Sequence, residues 1–107
     1  MTIQKENGHA TLFVEGRIDT YNAPQFAEEM GKALDGVTDL TLDFSRLSYI
    51  SSSGLRAVML AVKTMARQGE MRIVGVNDVV YEILETTGFT GMCDVDRAVS
   101  PEKNTRG

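Results

Sequence analysis

The chain holds one cysteine and one histidine, and no apolar run approaches the roughly 20 residues needed to span a bilayer. With Cys93 alone, neither an intramolecular disulfide nor a cysteine-based zinc site can be assembled, which fits a reducing cytoplasm. Met1 to Gly8 lacks the apolar core of a secretory signal, so the expectation is a cytoplasmic protein with no direct membrane insertion. No G-x-x-x-x-G-K-[ST] loop is present to cradle nucleotide phosphates. No G-x-S-x-G elbow presents a nucleophile, and no His, Cys or carboxylate cluster has transition-metal spacing. His9 stands at the opposite end of the chain from the serine turn at residues 51–53, leaving those hydroxyls without a general base. The expectation is therefore no catalytic residue, no cofactor and no metal.

Charge narrows the partners further. Fifteen acidic against eleven basic residues give a net charge of -4, which disfavours nucleic acid and anionic lipid and leaves a protein as the natural ligand. Glu28-Glu29 point to different sides of a helix and read as a solvated face rather than an acid/base pair. His9 reads as an exposed strand-end residue. The six methionines read as mostly core-facing residues on helices rather than a docking groove.

What is present has the rhythm of an α/β domain. Asn7-Gly8 is a two-residue hairpin signal between Thr2–Glu6 and His9–Ile18, so the chain opens with an antiparallel pair. Asn22 can cap a helix over about residues 23 to 35, with Pro24 in its first turn and Phe26, Met30, Ala33 and Leu34 on one face. Leu40, Leu42 and Phe44 alternate with polar residues as a strand. Leu55, Val58, Met59, Val62 and Met65 then give a second helix that stops at Gly69. Met71 to Val76 is another strand, and Asn77 or Asp78 can cap a helix through Val80, Ile83 and Leu84 to Gly88. Met92 to Val99 is open between strand and helix, and residues 100–107 read as a loose polar tail.

At 107 residues this is one domain, residues 1–107, able to bury about two thirds of its unfolded surface. Strands alternating with helices predict a mixed sheet with crossover helices packed on it. Ligands and partners of such sheets gather at the carboxyl ends of the parallel strands. Gly16-Arg17-Ile18-Asp19 and the turn Ser51-Ser52-Ser53-Gly54 both fall there, distant in sequence and expected to be neighbours in space. The first turn of a helix has unpaired N–H groups and the positive end of the macrodipole, so it accepts a hydroxyl cap or a phosphate. One serine suffices for a cap, which leaves two hydroxyls for other work or as solvated loop residues. Arg56, a cation in that same first turn, opposes the dipole. Either it pairs with Asp19 or Asp43, or it stands exposed and unpaired.

Taken together, these segments resemble the STAS family, the domain shared by bacterial anti-sigma-factor antagonists and the tails of sulfate transporters. The carriers are Gly16-Arg17-Ile18-Asp19 with Ala23 and Phe26, then Asp43-Phe44-Ser45, Ser52-Ser53-Gly54-Leu55-Arg56 and Thr87-Gly88-Phe89. The free-standing length resembles the antagonists. The resemblance implies a non-enzymatic switch whose unmodified form binds an anti-sigma factor that is also a serine kinase, releasing a sigma factor. Phosphorylation ends the interaction, and a phosphatase resets the cycle. It places the phosphoacceptor on Ser53 and a partner-binding surface over Asp19, Ser51, Ser52, Ser53, Gly54 and Arg56. The antagonists commonly carry aspartate where this chain has Ser51, which makes Ser52 the alternative acceptor. The alternative role within the fold is a constitutive binding subunit of a transporter or stress-signalling assembly.

Overall fold

The computed structural model describes residues 1–98, so the expected tail at 100–107 lies outside the described residues. In chain order the elements are β1 (Thr2–Glu6), β2 (His9–Ile18), α1 (Ala23–Leu34), β3 (Asp39–Ile50), α2 (Ser52–Gln68), β4 (Glu70–Val76), α3 (Asp78–Thr86), a short 3-10 turn (Phe89–Gly91) and β5 (Asp94–Arg97). The strands lie in the order β1-β2-β3-β4-β5. The first pair is antiparallel and the others are parallel, which is the expected mixed α/β sheet opened by a hairpin. Asn7 and Gly8, with φ of 53° and 83°, supply the two left-handed positions that a tight hairpin turn requires.

Because the parallel strands advance one neighbour at a time, same-handed crossovers lay the helices on one face of the sheet. The register pairs Ala10 with Leu40 and Leu40 with Met71, then Leu12 with Leu42 and Leu42 with Ile73, and these residues are buried under the helices. Phe26 and Met30 of α1, Val58 and Met65 of α2, and Val80 and Leu84 of α3 complete the core. Among the described residues no polar or charged side chain is buried. The opposite face carries half-buried Thr11, Phe13, Thr41, Asp43, Arg72 and Val74. Lys5 crosses from β1 to donate to the carbonyls of Lys32 (3.0 Å) and Asp35 (2.7 Å), satisfying the end of α1.

Several local expectations are revised. Asn22 occupies the N-cap of α1 but makes no cap bond. Its Oδ1 accepts from the Asp19 amide (2.7 Å) and its Nδ2 donates to the Arg17 carbonyl (2.8 Å), drawing the side chain back toward β2. Between Asn77 and Asp78, Asn77 is the cap of α3, accepting from the Val80 amide at 2.8 Å. Asp78 instead pairs with Arg97 (2.8 Å), whose guanidinium also lies over the Tyr81 ring. Of the stretch left open from Met92 to Val99, Asp94–Arg97 forms β5, preceded by a 3-10 turn over Phe89–Gly91, and Val99 lies outside the described residues. β3 runs past Phe44 to Ile50 because a register irregularity restores pairing beyond the alternating segment. Of the methionines, Met30, Met59 and Met65 lie on helices, whereas Met71 is on β4 and Met92 is exposed.

His9 is exposed and meets Asp39 at 2.9 Å, while Glu28 is solvated and Glu29 pairs with Lys32 at 3.1 Å. Burial, followed by the charge of Asp94, pushes the Cys93 thiol above its ordinary pKa, so little reactive thiolate forms near neutral pH. No helix among the described residues is long and apolar enough to cross a membrane.

Gly69 is held at the junction of α2 and β4, where an added Cβ would lie 1.9 Å from the Thr38 carbonyl oxygen. Gly69→Ala is expected to lower stability by about 1–3 kcal/mol, read as a fall in the denaturation midpoint at unchanged slope.

Candidate functional site

The two segments expected to meet do meet. Ile18 and Ile50, the last residues of β2 and β3, are register partners, and the Ser51 amide donates to the Ile18 carbonyl at 2.9 Å. The chain leaves β2 into the turn that begins α1 and leaves β3 directly into α2, so Asp19 and the serines stand side by side at one end of the sheet. Gly54 explains how closely α2 approaches. A Cβ there would lie 2.7 Å from both Ile18 Cγ2 and Ile50 Cγ1, so only glycine lets the first turn sit down on the strand ends.

The three serines have different duties. Ser51 is the N-cap, with extended backbone and Oγ accepting from the Gly54 amide at 3.3 Å. Ser52 and Ser53 are the first two helical residues. Ser52 is exposed and Ser53 half-buried, and neither hydroxyl makes a hydrogen bond among the described residues. An aspartate at position 51 would do the same capping work as this serine, which keeps the cap without adding a negative charge.

Asp19 is half-buried and bends the β2–α1 turn, its Oδ1 accepting from the amides of Tyr21 (2.9 Å) and Asn22 (3.0 Å). Of the two readings of Arg56, the pairing with Asp19 or Asp43 is not made and the exposed one holds. The Asp19 carboxylate serves its own turn, and Asp43 is occupied by the amide and hydroxyl of Ser45. Arg56 is exposed and makes no ion pair among the described residues.

Residues that the sequence reading missed complete the surface. Tyr21 is 94% exposed at the tip of the β2–α1 turn, and Leu60 is 62% exposed on α2. A shallow groove of about 250 Å³ runs between α1 and α2, lined by Pro24 and Ala27 on one side and by Ser53, Arg56, Ala57 and Leu60 on the other. Leu60 was legible as an apolar residue outside the core-facing stripe of α2. Tyr21 carried no such signal.

The comparisons agree with this geometry. The STAS domain model matches residues 1–100. The anti-sigma-B factor antagonist of Listeria monocytogenes serovar 1/2a is 30% identical over 95 residues, covering 86% of this chain and 82% of the relative. An anti-sigma factor antagonist from Mycobacterium paratuberculosis superimposes with a TM-score of 0.81 at 17% identity, covering 95% of this chain and 86% of that one. The Bacillus cell fate determinant SpoIIAA in its phosphorylated form gives 0.70 at 16% identity, covering 98% and 96%; at such identities the likeness is one of fold. The chain thus belongs to the STAS domain family, within its anti-sigma factor antagonist group.

Proposed function

We propose that the unmodified protein binds an anti-sigma factor that is also a serine kinase, and that phosphorylation of Ser53 switches this binding off. The carrying observation is the division among the serines. Ser51 satisfies the helix cap, so Ser53 has an uncommitted hydroxyl on the surface it shares with the Asp19 turn. That a Bacillus protein of the same fold exists in a phosphorylated form supports the reading.

In the modifying step the kinase transfers the γ-phosphoryl group of ATP to Ser53 Oγ. The hydroxyl proton passes to a base of the kinase, and ADP leaves. Phosphate adds about -1.5 to -2 charges at pH 7. The unpaired amides and dipole at the α2 N-terminus tolerate that charge, so the fold persists. A partner packed on the turn must bury or repel it, and Asp19 nearby adds to the negative field. Binding is lost without refolding, and a phosphatase acting on the phosphoserine restores it. The partner-facing surface comprises Asp19, Ser51, Ser52, Ser53, Gly54 and Arg56. The protein acts by binding and catalyses no reaction itself.

Ser53→Ala is expected to hold the anti-sigma factor kinase persistently and Ser53→Asp to hold it poorly, measured by titration calorimetry. Equal binding by both variants removes Ser53 from the mechanism, and loss of phosphorylation only in Ser52→Ala moves the acceptor to Ser52. Ser51→Ala is expected to cost about 1 kcal/mol of stability by removing the cap, whereas Ser51→Asp retains it; thermal or denaturant unfolding reads both.

A further inference from the structure

Two features of the site are left unexplained by a switch that works only through charge at Ser53. The first is the α1–α2 groove, where apolar Pro24, Ala27, Ala57 and Leu60 are joined in the lining by Thr20, Ser53 and Arg56. Its lining residues follow helical spacing on both sides, with Ser53, Arg56, Ala57 and Leu60 forming one stripe along α2. A leucine 62% exposed beside a concave apolar strip is surface that water covers poorly. The second is Arg56. It is the fifth residue of α2, one turn on from Ser52, is exposed, and has no ion-pair partner among the described residues of a chain whose net charge is -4. Both lie on the same lip as Ser53.

Resting on the function proposed above, we infer that the groove receives an aliphatic side chain of the anti-sigma factor, and that Arg56 pairs with an acidic residue beside it until phosphate on Ser53 claims the guanidinium. The occupant is chosen by complementarity. The apolar stretch from Ala23, Pro24 and Ala27 to Ala57 and Leu60 suits a branched aliphatic group, while the exposed guanidinium at the lip calls for a carboxylate. Residues three apart on a helix are neighbours, so phosphoserine at 53 lies within reach of Arg56. Phosphorylation then acts twice. It brings a strongly hydrated dianion to the mouth of an apolar pocket, and it withdraws the cation that the partner's carboxylate used.

The test is calorimetry of the unmodified protein against the purified anti-sigma factor kinase, comparing wild type with Leu60→Ser, Arg56→Gln and the control Val79→Ser, which alters an exposed residue of α3. All three positions are on the surface, and circular dichroism melts verify that each variant is folded. Leu60→Ser and Arg56→Gln are expected to weaken binding about tenfold each, with Val79→Ser unchanged. In addition, ³¹P NMR titration of the Ser53-phosphorylated protein is expected to show a higher second phosphate pKa in Arg56→Gln than in wild type, because the cation favours the dianion. Wild-type binding that neither variant alters overturns the inference and leaves the proposed function standing. An unchanged phosphate pKa overturns the Arg56 exchange. Self-association of wild type abolished by Leu60→Ser assigns the groove to a second copy of the chain and overturns the inference. Failure of wild type to bind the kinase overturns the proposed function and the inference with it.

Discussion

The contact among Ile18, Ile50 and Gly54 is the constraint on which the site depends. Two isoleucines end neighbouring parallel strands in register, and a glycine in the first turn of α2 lets the helix settle directly on them. The Ser51 amide bonded to the Ile18 carbonyl fixes the height at which the helix begins. A Cβ at position 54 would press on the side chains of both isoleucines, so either they or the first turn of α2 must shift. A surface built from residues more than thirty positions apart is thereby held by backbone and apolar packing, with Asp19 and Ser51 committed to local turns and the hydroxyls of Ser52 and Ser53 without hydrogen bonds among the described residues.

That rigidity bears on how a small chemical change can act. Ser51 performs the structural task, so modification of a neighbouring hydroxyl removes no native hydrogen bond. A phosphate at the N-terminus of α2 meets partial positive charge and costs the fold little. The same phosphate at the mouth of an apolar groove changes what can dock there. In the proposed switch, signal and stability are separated because they use different serines.

Much of this was readable in the sequence, and the misses have local causes. The Asn7-Gly8 hairpin, the apolar alternation of β3 and the stripe of α2 each follow from short-range chemistry, and the meeting of the Asp19 and serine segments follows from the topology they imply. The end of β3 was legible from the serine turn placed at its carboxyl end, although the spacing of Leu47 and Ile50 breaks alternation where the pairing with β2 becomes irregular. β5 is a polar edge strand whose residues are largely exposed, so only its pairing with β4 defines it. The Asn22 side chain was assigned to α1, yet the nearby Asp19 amide and Arg17 carbonyl outcompete the helix for it. For Arg56 the sequence left pairing and exposure both open, and exposure holds because both acidic candidates are engaged by their own turns.

The central claim is that charge is written on Ser53 in response to conditions. Its most direct measurement is intact and peptide mass spectrometry of the protein purified from its native host with phosphatase inhibitors present, under growth and under stress. The account expects phosphate on Ser53, at an occupancy that changes with condition. Full coverage of the Ser51 to Arg56 peptide with no phosphate in any condition would contradict it.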